Sequence, residues 1–97
     1  MKGVFLVQAF RYSFDYTAAI FACSDNDAVV ASQSQLEAAW RGGYSICTCG
    51  WNSDKVARFP MTKIMKWCGR IGINTCRWLR TWDAHCYNGQ RGTCRRV

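Results

Sequence analysis

At 97 residues the chain is a single domain, large enough for a modest core and small enough that covalent crosslinks matter. Seven cysteines point to an oxidising compartment and a disulfide framework with at least one thiol left over; one histidine and a lone close-spaced pair, Cys47 and Cys49, disfavour zinc. The net charge of +7 is lopsided: residues 1–50 carry Lys2, Arg11 and Arg41 against four acids, whereas residues 51–97 carry ten bases against Asp54 and Asp83. The second half therefore offers a positive field to an anionic polysaccharide, nucleic acid or lipid surface.

No stretch reaches the roughly 18 apolar residues of a membrane span. The opening lacks the apolar core of a signal peptide, so the chain is expected to start within a longer precursor or at an added Met.

Val4 to Val7 reads as a buried strand, and Phe10 to Phe14 alternates in a way that predicts a second one. Asp15 is placed to cap a helix in which Tyr16, Ala19, Ile20 and Cys23 recur on one face, and the polar run Ser24 to Asp27 ends it. Ala28 to Ala31 is an apolar strand. Ser32 with Gln35 three places on is a capping box, after which Leu36, Ala39 and Trp40 make one apolar stripe and Gly42 and Gly43 close the helix. Asn52 to Lys55 has turn composition between Trp51 and the strand-like run Val56 to Pro60, which predicts a hairpin. From Met61 to Arg80 basic residues interleave with Trp67, Ile71, Ile73 and Trp78. The pattern of two helices among several short strands is α+β.

The run Leu36-Glu37-Ala38-Ala39-Trp40-Arg41-Gly42-Gly43-Tyr44, followed by Cys47 and the pair Gly50-Trp51, resembles the Link module, the hyaluronan-binding domain of matrix proteins and cell-surface receptors. The likeness extends through Arg11-Tyr12, Arg58-Phe59-Pro60, Cys68-Gly69, Gly72-Ile73 and Trp82-Asp83-Ala84-His85-Cys86-Tyr87. It covers residues 3–88, leaving 89–97 as a basic tail or linker. The resemblance implies two helices packed on small antiparallel β-sheets, an architecture related to C-type lectins, with disulfides Cys23–Cys86 and Cys47–Cys68. Cys49, Cys76 and Cys94 have no family partner. With Cys47 and Cys49 taken to face opposite ways, a Cys76–Cys94 bridge would leave Cys49 as a small buried residue; intermolecular pairing is the alternative.

The resemblance further implies a ligand surface. Arg11 and Tyr12 match a basic–tyrosine pair that contacts carbohydrate, Arg58 and Phe59 match an arginine–tyrosine pair, and Arg77 and Arg80 are both candidates for a later arginine, with Trp78 between them as an aromatic platform. Phe59 and Cys76 stand where the family carries tyrosines. Such a set suits hyaluronan or a related glycosaminoglycan, whose carboxylates need arginine forks and whose ring faces need aromatic platforms. The expected function is a non-catalytic extracellular module with no cofactor and no metal, since acids are few and unclustered. One rival is a Link-like fold with a decayed sugar site that serves cell adhesion or binds a matrix protein. Another is a polyanion-binding basic surface for nucleic acid or anionic membrane, of which the cysteine framework disfavours nucleic acid. Asp83, His85 and Cys86 resemble a catalytic set only in composition, because a disulfide at Cys86 removes the thiolate such chemistry requires.

Overall fold

The computed structural model describes residues 3–89. The expected basic tail beyond Gly89, and with it Cys94, lies outside the described residues. The elements run β1 (Val4–Val7), α1 (Tyr16–Ser24), β2 (Val29–Val30), α2 (Gln33–Arg41), β3 (Gly50–Trp51), β4 (Ala57–Met61), β5 (Gly72–Cys76) and β6 (Asp83–Tyr87).

Both helices start where their caps predict. The Asp15 carboxylate accepts the Ala18 amide at 2.8 Å, satisfying a donor the first turn leaves open. Ser32 and Gln35 form the reciprocal capping box at 3.0 and 2.9 Å. Leu36 and Ala39 are buried, and the Trp40 indole N–H donates to the Met61 carbonyl at 2.7 Å, fastening α2 to the end of β4. Of the two closing glycines it is Gly43, at φ +107°, that takes the conformation disfavoured for other residues.

The strands form one mixed sheet in the order β1-β6-β3-β4-β5, with β2 also paired to β6. All pairs are antiparallel except β3 with β6, so the small antiparallel sheets of the sequence expectation are joined by one parallel contact. β6 is the hub. β1 covers one of its edges from Ala84 to Tyr87, while β2 and β3 share the other. Gly50 lets β3 lie against β6: a Cβ there would stand 2.9 Å from the His85 ring.

The predicted strand over residues 10–14 does not form. Only Phe14 pairs, in an isolated bridge to Trp82, and Tyr12 adopts φ +55°. The cause is Asp83, whose carboxylate accepts the Tyr12 amide at 2.8 Å and the Gln8 side-chain amide at 2.7 Å, drawing the chain into a turn.

Three disulfides cross the molecule. Cys23–Cys86 ties α1 to β6, and Cys47–Cys68 ties the approach to β3 to the basic loop, both as the family resemblance implies. The third, Cys49–Cys76, corrects the reading of Cys49 as a free buried residue and of Cys76 as a partner for Cys94. Residues two apart in extended chain share a side rather than oppose one another. Cys47 and Cys49 accordingly meet the same apolar cluster, made with Ala57, Phe59, Met61, Cys68, Cys76 and Trp82.

Candidate functional site

The cluster around Cys49 is roofed on one side by the turn that Asp83 holds, and between them lies a cleft of about 160 Å³. Arg11, Tyr12, Trp67 and Trp78 form its walls, with Phe59 and the sulfurs of Cys47 and Cys49 also lining it. Among the seven residues expected at a ligand surface, Arg11, Tyr12, Phe59 and Trp78 are thus brought together.

Tyr12 is held at several points. Its phenol oxygen accepts the Cys49 amide at 3.1 Å, its own amide donates to Asp83, and its ring meets the buried Trp82 edge-on at a centroid distance of 5.2 Å. Trp82 in turn contacts Trp78 edge-on at 5.2 Å, so one buried indole orients an aromatic on each side of the cleft. The Arg11 guanidinium lies 4.9 Å from the Tyr12 ring centroid, a cation–π arrangement that leaves its charge at an exposed position. Burial pushes the Asp83 carboxyl above its ordinary range, opposed by the Tyr12 and Gln8 hydrogen bonds and by the nearby Arg11 charge.

Phe59 is 8% exposed and forms part of the floor rather than an open platform. Arg77 and Arg80 are exposed on either side of Trp78 and make no ion pair among the described residues. Arg58 is excluded from the cleft. It is 7% exposed, grips Asp54 through both guanidinium nitrogens at 2.9 and 2.7 Å, and donates to Asn52 and Gln33. The sequence expectation placed Arg58 and Phe59 at one site, but neighbours on a strand face opposite ways. Its charge is used internally, and it holds the Asp54 carboxyl below the usual range.

Trp67, which sequence reasoning left outside the site, is the most exposed large apolar residue among the described residues, at 89%. Its position beside Cys68, already paired to Cys47 by resemblance, was the available signal: the bridge carries its neighbour to the cleft.

His85 lies apart from the cleft opening. Its Nε2–H donates to the Arg58 carbonyl at 2.7 Å, its Nδ1 has no partner among the described residues, and complete burial lowers its pKa to about 4. Cys86 is in a disulfide, so no thiolate stands beside it. No group of three or more potential metal ligands occurs among the described residues.

The sequence model of the extracellular link domain matches residues 3–87. The chain is 36% identical over 85 residues to the versican core protein of Mus musculus, covering 79% of this chain and 2% of that protein. The versican core proteins of Rattus norvegicus and Homo sapiens are each 34% identical over 85 residues, again covering 79% of this chain, and 3% and 2% of their own lengths. The chain therefore spans only a small fraction of the relatives it matches.

Proposed function

Because this chain belongs to the extracellular link domain family, we propose that it is a non-catalytic extracellular module that binds hyaluronan or a related glycosaminoglycan in the cleft beside Tyr12. The observation that carries this reading is the Arg11–Tyr12–Trp82–Trp78 arrangement: a cation above one aromatic, and a second aromatic oriented by the same buried indole. Arg11 would take a sugar carboxylate, Tyr12 and Trp78 the apolar ring faces, and Trp67 the opposite rim. Arg77 and Arg80 would neutralise further carboxylates along the polymer. The three disulfides fit an extracellular setting, and no helix among the described residues is long and apolar enough to cross a membrane. A matrix protein is the second class of partner, favoured by the withdrawal of Arg58 and the burial of Phe59, which leave fewer groups for a sugar.

Titration of the oxidised domain with hyaluronan oligosaccharides, followed by amide NMR with heparin as control, tests the proposal. Saturable shifts centred on Arg11, Tyr12, Trp67 and Arg77 to Arg80, weakened by Arg11→Ala, are expected. A folded sample without a saturable response to hyaluronan would refute the sugar site and favour the protein-binding reading.

A further inference from the structure

Between Asp54 and Asp83 the chain has no acidic residue, and within it Lys63, Lys66, Arg70, Arg77 and Arg80 are all exposed. The same stretch exposes large apolar side chains: Trp67 at 89%, Ile64 at 79% and Trp78 at 63%, with Met65, Ile71 and Leu79 each about half exposed. The two halves of this stretch are stapled side by side. Cys68 is joined to Cys47 and Cys76 to Cys49, two residues further on, and Trp67 and Trp78 meet at one cleft.

A sugar polymer stacks on Trp67 and Trp78 but has no use for the aliphatic tips of Ile64, Met65 and Leu79, which lie outside the cleft lining. Exposed aliphatic tips interleaved with cations along one stretch match a different surface, in which hydrocarbon lies beneath a layer of negative headgroups. We infer that this face is a peripheral docking surface for anionic phospholipid membrane. Ile64, Met65, Trp67 and Leu79 enter the boundary between headgroups and acyl chains, and the surrounding lysines and arginines meet lipid phosphates and carboxylates. Trp67, Arg77 and Arg80 are shared with the proposed sugar site, whereas Ile64, Met65 and Leu79 lie outside it and serve only the membrane.

The test uses the oxidised full chain and vesicles of phosphatidylcholine with or without about 30 mol% phosphatidylserine. The chain should co-sediment with the anionic vesicles and not with pure phosphatidylcholine. An Ile64→Ser, Leu79→Ser double variant removes two exposed side chains without touching the core or a charge. It should bind the anionic vesicles about tenfold more weakly, with retention on immobilised heparin unchanged. Failure of the parent chain to bind anionic vesicles would overturn the inference and leave the face to a soluble partner. Equal vesicle binding by parent and double variant would overturn it too, since charge alone would then suffice.

Discussion

The phenol oxygen of Tyr12 accepts the backbone N–H of Cys49 at 3.1 Å, joining residues 37 positions apart across the base of the cleft. This bond connects the turn that presents Arg11 to the segment crosslinked to β5, so the two sides of the candidate site are mechanically one piece.

Tyr12→Phe keeps the ring between Arg11 and Trp82 but removes the acceptor, leaving the part-buried Cys49 amide without a partner. The expected loss of stability is about 1–3 kcal/mol, measured by urea unfolding under oxidising conditions. An unchanged midpoint would mean that water replaces the phenol oxygen and that the contact is dispensable.

Arg58 and Arg11 should respond oppositely to truncation. Arg58→Ala strands Asn52 and half-exposed Asp54, lowering stability by about 1–3 kcal/mol while leaving hyaluronan affinity of the folded fraction intact. Arg11→Ala, at an exposed position, should leave the unfolding midpoint nearly unchanged and weaken hyaluronan binding. Calorimetric titration paired with thermal unfolding separates the two; a folded Arg58→Ala protein that has lost hyaluronan binding would return Arg58 to the site.

The Cys49–Cys76 bridge closes a span of 27 residues and directly precedes Arg77 and Trp78. The chain-entropy relation assigns such a loop about 3.5 kcal/mol. A Cys49→Ala, Cys76→Ala variant should lose stability on that scale and bind hyaluronan more weakly, because the Arg77 to Arg80 segment gains freedom. Proteolysis under non-reducing conditions should recover the Cys49 and Cys76 peptides joined; recovery of Cys76 joined to Cys94 would overturn the pairing.

Stability should fall on mild acidification through His85. Its folded pKa of about 4 lies below the ordinary 6.5, so between these values the unfolded chain takes up a proton that the folded chain refuses. Stability is therefore fully present above pH 6.5, declines as pH drops toward 4 and loses on the order of 3 kcal/mol in all. Asp83, whose folded pKa is raised, acts in the opposite sense as pH climbs above its ordinary value, and Asp54, whose folded pKa is lowered, acts only at more acid pH. His85→Gln keeps a donor for the Arg58 carbonyl without titrating, and chemical unfolding from pH 7 to 4 should show the slope in the parent chain and a flatter profile in the variant.

Local rules determined much of this protein. The capping residues Asp15 and Ser32 set the starts of both helices, the 3.6-residue period put Leu36 and Ala39 on the buried face, and the turn composition of Asn52 to Lys55 marked the β3–β4 hairpin. Arg11 and Tyr12 were identifiable as candidate ligand residues from their likeness to the Link module, and Trp78 as an aromatic between two candidate arginines. Only the tertiary structure decided what depends on distant partners. Alternation predicted a strand through Tyr12, but a carboxylate 71 residues away bends the chain there instead. Arg58 has the same chemistry as Arg11 in sequence, yet Arg58 is buried against Asp54 whereas Arg11 is exposed above the half-buried ring of Tyr12. The partner of Cys49 was equally beyond local reach, because a disulfide requires its two Cα atoms within a few ångströms, and that proximity belongs to the packed sheet rather than to any run of residues.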